Sequence, residues 1–424
     1  MDFIKNIYLA NVSEDVWPFI CTLDDKTRDT EVLLNDYLAD RFISIFEPNS
    51  LFLTPKKPTV NYLNYADAIL KNSPEICVPK KNNGQLCLDI MADDNLINKI
   101  CEYKTVNLIP YSATKEFYEL VDCLENRGVK VLLPLSPDFK NASVVEKYGS
   151  KTGIRNLIPE YMPKGEIFQN LDDAINYAKT ILDTGKGIVF KTNKGHAGMG
   201  VVIVSPNSII PMSIYNDKYW NKFPIVVEEF IETDKLIGGG FPNLEYQITA
   251  DGKVKLLYSC GMLVTKEGQF LGIEMGKQVT PKNILLSIKK IGDKIGKKYS
   301  NFGYRGNFEF DFIAGIDGQI YVTESNIRQT GGTHVYCLCQ KLLGDDFENY
   351  YVISNNFYEL PKSNWNFDKI MSIFKPILYN DKTKSGIIIT SENLLPLNFL
   401  SYVIIGRTKS ETMGLVQQIK DLLS

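Results

Sequence analysis

Paired cysteines are absent from this chain. Its eight cysteines, Cys21, Cys77, Cys87, Cys101, Cys123, Cys260, Cys337 and Cys339, are scattered along 424 residues without a CxxC. That distribution excludes a disulfide-stapled mini-domain, and the thiols are expected to be reduced and mostly buried. A surplus of charge is also missing, because 47 basic side chains face 50 acidic ones and leave a formal charge of −3. Broad electrostatic binding of nucleic acid or of an anionic membrane is therefore not expected, and any phosphate must be gripped locally. No apolar run approaches the length of a membrane span, and the start, MDFIKNIYLANVSEDVW, lacks a basic region followed by a long apolar stretch. A soluble, cytoplasmic protein is the expectation. No GxGxxG follows an early strand, so dinucleotide binding is not indicated. Internal repeats and low-complexity segments are lacking as well.

What is present is length enough for two or three domains. Residues 1–141 alternate short apolar runs with helix-like stretches. Leu51-Phe52-Leu53, Val106-Asn107-Leu108-Ile109-Pro110 and Val129-Lys130-Val131-Leu132-Leu133-Pro134 read as buried strands. Between the last two, Phe117, Leu120, Val121 and Leu124 fall at helical spacing, and Gly128 follows. A strand, helix, strand unit of this kind predicts a doubly wound α/β domain.

Residues 143–165 begin as a helix that stops at Pro159 and Pro163. Lys147, Lys151 and Arg155 recur every four residues along it, the usual pattern of a wet helical face. Asn170 caps a second helix with Ala174, Ile175, Ala178, Ile181 and Leu182 as its apolar stripe. Residues 187–191 then form a short buried strand ending in Lys191, and residues 192–200 lead into a second strand at 201–204. Gly195, Gly198 and Gly200 would let backbone N–H groups approach phosphate oxygens, with Lys191 adding a point charge. An ordinary flexible hairpin loop has the same composition. The strand PIVVEEFI, residues 224–231, could offer backbone groups to a purine edge or could be an unremarkable edge strand. Asp251-Gly252 marks a hairpin between residues 245–250 and 253–259, and residues 281–300 form an amphipathic helix through Ile284, Leu285, Ile288, Ile291 and Ile295.

The densest chemistry lies at residues 306–334, GNFEFDFIAGIDGQIYVTESNIRQTGGTH. Phe308, Phe310 and Phe312 alternate with Asn307, Glu309 and Asp311, so one face is apolar and the other carries acids. Asp317-Gly318 supplies a tight turn, and the returning strand ends in Glu324, Ser325 and Asn326, with Glu324 and Asn326 facing the same way. Asp311, Glu324 and Asn326 could form an oxygen half-cage for Mg²⁺; a solvated hairpin with acids on its wet face would read alike. A less regular stretch to residue 384 is followed by strands at 386–390 and 401–405 and a helix at 410–423, a small α+β appendage.

In this order the elements resemble the ATP-grasp superfamily over roughly residues 143–340, and look most like its pheganomycin-type peptide ligases and butirosin-type acyl-carrier ligases. The resemblance implies a mixed α/β and α+β chain: a Rossmann-like pre-ATP-grasp domain at 1–141, a two-lobed ATP-grasp domain at 142–345 and the C-terminal appendage at 346–424. It makes Lys151 and Lys191 the phosphate-binding lysines and residues 195–200, with Gly195, His196, Gly198 and Gly200, the loop over the phosphates. Glu228, Glu229, Phe230 and Ile231 become the adenine hinge, with Glu229 and Ile231 offering backbone groups to the base. Asp311, Glu324 and Asn326 match the magnesium ligands, with Mn²⁺ as the alternative ion. Arg328 matches the arginine that steadies the carboxylate or its acyl phosphate. For the ribose, residues 233–243 intervene where an acid is common, leaving Glu232 or Glu245, with Glu245 preferred. An arginine expected two residues before the first metal carboxylate is replaced by Glu309, which points away from simple dipeptide-ligase chemistry. Of the two histidines, each more often a packed loop residue, His334 is the better catalytic candidate.

The implied reaction is ATP-dependent joining of a small-molecule carboxylate to an amine, such as an amino acid or peptide, through an acyl phosphate in specialised biosynthesis. Two lysines, an arginine, backbone amides and magnesium are what such a transfer needs, since its barrier falls mainly through positioning and charge neutralisation. Loading of an acyl carrier protein thiol is the rival within the class. A nucleotide sensor that has lost turnover is the rival outside it.

Overall fold

The computed structural model describes residues 4–71, 74–196, 198–266 and 268–423. Five short strands, β1 (Lys5–Leu9), β2 (Leu51–Leu53), β3 (Glu75–Cys77), β4 (Thr105–Pro110) and β5 (Lys130–Leu132), form a wholly parallel sheet in the order β3-β2-β1-β4-β5. Parallel pairing demands crossovers, and helices supply them, as the strand, helix, strand pattern predicts. The crossover helix Lys115–Glu125 starts where Thr114 accepts a hydrogen bond from the Phe117 N–H, and buries Phe117, Leu120, Val121 and Leu124 against Ile7, Leu51 and Leu108.

Four antiparallel strands build a smaller lobe: β6 (Gly165–Phe168), β7 (Ile188–His196), β8 (Met199–Val204) and β9 (Ile225–Glu229), in the order β6-β9-β7-β8. The helix Leu171–Leu182, capped by Asn170, packs Ala174, Ile175, Ala178 and Ile181 onto Ile188, Phe190, Trp220, Ile225 and Val227. The segment PIVVEEFI is thus not an edge strand, since β9 has neighbours on both sides. The glycine segment is not a loose loop either. Strand β7 runs on to His196 with a bulge after Lys191, leaving a tight turn in which Gly198 holds φ +85°. Ala197 lies outside the described residues.

The third sheet has eight antiparallel strands: β10 (Pro242–Ile248), β11 (Val254–Val264), β12 (Phe270–Met275), β13 (Gly306–Ala314), β14 (Ile320–Asn326), β15 (Tyr351–Glu359), β16 (Gly386–Ser391) and β17 (Phe399–Gly406), ordered β14-β13-β10-β11-β12-β15-β17-β16. The C-terminal strands continue this sheet through the pairing of Glu274 with Ile353 and Met275 with Val352. Farther on, Trp365, Phe367, Ile370 and Phe374 share one core with Tyr8, Phe42, Phe46 and Phe52 of the N-terminal domain. Strand β15 and the helix Phe367–Phe374 fall in the stretch that reads as less regular, because Ser354, Asn355 and Asn356 break the apolar alternation of β15.

Residues 143–157 form two helices, not one. Ser143–Tyr148 ends at Gly149, and Ser150 caps Lys151–Leu157 by accepting from the Gly153 N–H at 3.1 Å. The break turns Lys151 and Arg155 inward, so the wet-face reading fails for both, which are 5% and 7% exposed. Gly153 is needed there: a Cβ would sit 1.6 Å from the Lys147 carbonyl oxygen. All eight cysteines are free, but only Cys87, Cys260 and Cys339 are buried and Cys21 is exposed, so "mostly buried" overstates their shielding. Among the described residues no helix is long and apolar enough to cross a membrane.

The apolar face of β13 is the hub of the large sheet. Phe308, Phe310 and Phe312 are fully buried with Leu244, Tyr246 and the Ile288, Ile291 and Ile295 stripe of the helix Lys282–Asn301. Phe310→Ala should lower the unfolding free energy by about 3–5 kcal/mol in a denaturant titration. A loss below about 1 kcal/mol would mean that this layer collapses into the gap and is not the close-packed support described.

Candidate active site

Strand register places the acids. Across β13 and β14, Asp311 lies opposite Glu324 and Glu309 opposite Asn326; across β10 and β13, Asn243 lies opposite Asp311 and Glu245 opposite Glu309. Since alternate residues share a face, burying the phenylalanines on one side forces this polar ladder onto the other. Asn243 Nδ2 donates to Asp311 Oδ1 at 2.7 Å, and Asn326 Nδ2 donates to Glu309 Oε1 at 3.0 Å.

Cations close around the ladder. Lys151 Nζ is 3.0 Å from Glu324 Oε1. Arg328 spreads its guanidinium over four partners: Nη2 donates to Asn326 Oδ1 at 2.8 Å, Nη1 donates to Tyr111 Oη at 3.0 Å and to the Gln329 carbonyl at 3.1 Å, and Nε forms an ion pair with Asp15 Oδ2 at 2.8 Å. Asp15 and Tyr111 belong to the N-terminal domain, so that domain completes the arginine's setting. Lys191 and Arg155 both pair with Glu228, whose carboxylate is buried beneath the small lobe. Glu228 is therefore a support for Lys191 and does not expose its side chain to a ligand.

Crowded acids have shifted protonation. Burial, then the neighbouring Glu324 carboxylate, raises Asp311 to about 7. Glu309 is pushed well above the usual range by burial and by Asp311. Glu324 is half-buried, and although desolvation works to raise it, Lys151 first, then Lys191 and Arg328, hold it below its ordinary value. Burial opposes the Arg328 charge, but Tyr111, Asp15, Glu309 and Glu324 outweigh it and raise its pKa. Asp311 and Glu324 each keep one carboxylate oxygen beyond these bonds, and with the Asn326 carbonyl they form an oxygen-only donor set suited to a hard divalent cation. Among the described residues no cluster of three or more His, Cys, Asp or Glu side chains is arranged to hold a metal. The mixed set of two acids and an amide is the candidate.

At the hinge, the Glu229 N–H donates to the Lys164 carbonyl and the Phe230 N–H to the Gly187 carbonyl. Glu229 Oε2 pairs with Lys186 at 2.9 Å. The chain then leaves the sheet at Ile231. The glycine hairpin reaches across to the N-terminal domain, where His196 Nε2 lies 3.2 Å from both Asn35 Nδ2 and Glu31 Oε2. Below it opens a cavity of about 290 Å³, bounded by Lys151, Gly195, His196, Gly198, Asp311 and Glu324 at one end.

Two expectations are corrected. Glu245 is fully buried, and its oxygens accept from Tyr258 Oη (2.7 Å), Asn307 Nδ2 (2.9 Å), Thr330 Oγ1 (2.8 Å) and Thr333 Oγ1 (2.7 Å), so it braces the loop after Arg328 and has no surface for a ribose. Glu232, just past the hinge, is exposed. His334 is also wholly buried, at the start of the helix Thr333–Leu343, and burial followed by the nearby Arg41 charge drives its pKa well down. A neutral, enclosed imidazole touches no reacting atom. Sequence spacing contained no signal for Asp15, Tyr111 or Asn243, which reach the site only through tertiary packing. Arg155 did stand four residues from Lys151, on what became the same buried face.

No protein-family model matches the chain, and no curated protein does. Solved structures do. One neighbour is the biotin carboxylase of Campylobacter jejuni in a complex with a β,γ-ATP ligand, at a TM-score of 0.58 and 12% identity over 100% of this chain and 92% of that one. Others are an ADP complex of the N5-carboxyaminoimidazole ribonucleotide synthetase purK, at 0.56 and 11% over 99% and 97%, and the Staphylococcus aureus N5-carboxyaminoimidazole synthetase with ADP, at 0.56 and 9% over 100% and 98%. These likenesses define the class: the chain has the ATP-grasp fold, with its parallel N-terminal sheet and two antiparallel sheets. They extend over essentially the whole chain, N-terminal and C-terminal segments included.

Because His334 stays neutral when folded and takes a proton when unfolded, its burial costs stability as pH falls below about 6.5, by up to ~1.4 kcal/mol per pH unit. Urea titrations of wild type and His334→Gln between pH 7.5 and 5.5 should show the variant losing less stability on acidification. Parallel pH dependences would mean that the folded imidazole does protonate.

Proposed function

We propose that this protein is an ATP-dependent carboxylate–amine ligase of the ADP-forming kind, making an amide through an acyl phosphate. The observation that carries the reading is the convergence, on one cavity, of the Asp311, Glu324 and Asn326 oxygens with Lys151 and Arg328. Solved neighbours of the same fold hold ADP or a β,γ-ATP ligand.

In this reading the adenine lies along Glu229 and Ile231, with Phe230 between them, and Glu232 replaces Glu245 as the ribose acid. Lys151 and Lys191 face the phosphates, and the Gly195 to Gly200 hairpin covers them with N–H groups. Magnesium, or manganese, held by Asp311, Glu324 and Asn326 would neutralise charge on the transferring phosphoryl group. A carboxylate oxygen attacks the γ-phosphorus and ADP leaves. The amine then attacks the acyl carbon, loses a proton, and expels inorganic phosphate. Arg328, fixed by Asp15 and Tyr111, steadies the carboxylate and then the acyl phosphate oxygens, and it need not reorganise as charge moves. His334 has no part in these steps. The product is taken to be a peptide or amino-acyl amide.

With MgATP, pooled carboxylic acids and hydroxylamine, ADP and a hydroxamate should appear together. Asp311→Ala and Glu324→Ala should each reduce this by more than about 100-fold while the circular dichroism spectrum and Tm remain near wild type. Lys191→Ala should mainly raise the KM for ATP. Full activity in either acid variant would sink the metal assignment, and AMP in place of ADP would contradict the acyl phosphate.

A further inference from the structure

The cavity continues past Arg328 into a part that the phosphate chemistry does not use. Here it is lined by Arg41 and Leu38 from the N-terminal domain, by Phe270 and Ile273 from β12, and by Asn356 from β15. Arg41 is 6% exposed, and among the described residues its guanidinium makes no hydrogen bond and no ion pair. It lies against the Phe42 ring, 4.8 Å from its centre. Its sequence neighbour Asp40 does not pair with it: Asp40 Oδ2 accepts from the N–H groups of Glu392 and Asn393, and Asp40 Oδ1 is buried without a partner. Arg328, the nearest other cation, is already engaged with Asp15, Tyr111 and Asn326. A buried guanidinium without an anion is costly, and its rigid fork fits a carboxylate. The same wall carries the complementary orphan: Asn356 is 1% exposed, and its Oδ1 accepts no hydrogen bond. One unsatisfied donor and one unsatisfied acceptor in a single cavity describe the two ends of an amino acid.

Building on the ligase reading, we infer that Arg41 anchors a carboxylate that survives the reaction, with the Asn356 amide accepting from the amino group. The amine substrate is therefore an α-amino acid or a peptide with a free terminal carboxylate. Its carboxylate docks on Arg41, which leaves the amino group directed toward the Arg328 end, where the acyl phosphate forms. Arg41 is a specificity residue for the acceptor and takes no part in binding the nucleotide.

The test uses the full chain with MgADP present. Each of the common amino acids is paired with its own carboxamide in a thermal-shift titration, and binding of a fluorescent ATP analogue is followed separately. At least one amino acid should raise Tm where its carboxamide does not. Arg41→Gln should weaken that amino acid by about 30-fold or more and leave the ATP analogue unaffected. Arg41→Lys, which keeps the charge but loses the fork, should fall between, and it serves if the glutamine variant does not fold. Equal stabilisation by acid and carboxamide, no stabilisation by any amino acid, or unchanged affinity in Arg41→Gln would overturn the inference. So would a dicarboxylic acid without an amino group that binds through Arg41 as tightly, since that places the anchor on the donor. ADP release measured in parallel separates the two readings: Arg41-dependent amino-acid binding in a protein that never releases ADP defeats the ligase and leaves the anchor.

Discussion

Asp311 and Glu324 lie opposite each other in adjacent strands, both half-buried at the cleft, and everything around them answers the repulsion that follows. Two carboxylates in such a place cannot both stay charged without nearby cations. Lys151 supplies one, and it is available because Ser150 restarts the helix and turns the lysine inward. Arg328 supplies another, held at the correct angle by Asp15 and Tyr111 from the other domain. Even so, Asp311 is left with a proton affinity close to neutral pH. In the proposed reading, a divalent ion is what would relieve this demand for positive charge.

The demand explains why three modules must stay together. The large sheet carries the acids, the small lobe carries Lys191 and the glycine hairpin, and the N-terminal domain holds Arg328 and contributes Arg41. The C-terminal strands are continuous with the acid-bearing sheet, and the helix after β15 shares a core with the N-terminal domain, so the two are joined without crossing the cleft. His196 links the hairpin to the helix Asp25–Tyr37 through Asn35 and Glu31, closing the cleft from the third side.

Much of this was legible along the chain wherever local periodicity and function coincide. The alternation of phenylalanines with acids from Asn307 to Phe312 specified both the buried face and the chemical face of one strand. The same held for the Asn170 cap and for the helix behind the sheet. Legibility ended where tertiary packing decided the outcome. Lys151 and Arg155 had the spacing of surface charges and became buried because a glycine and a serine broke their helix. Glu245 stood in a plausible place for a ribose but faces a ring of hydroxyl and amide donors that only the folded loop assembles. Nothing local marks Asp15, Tyr111 or Arg41 as cleft residues: the first two act through Arg328, more than 200 positions away, and Arg41 joins the cavity only in the folded chain.

The central claim is that a carboxylate oxygen is phosphorylated in this cleft. The measurement that tests it most directly uses the acid substrate labelled with ¹⁸O in its carboxylate, followed by mass analysis of the inorganic phosphate released with the amide. Transfer of one ¹⁸O atom into phosphate for each amide formed is the result expected. Amide formation with unlabelled phosphate, or with the label in AMP, would contradict the account.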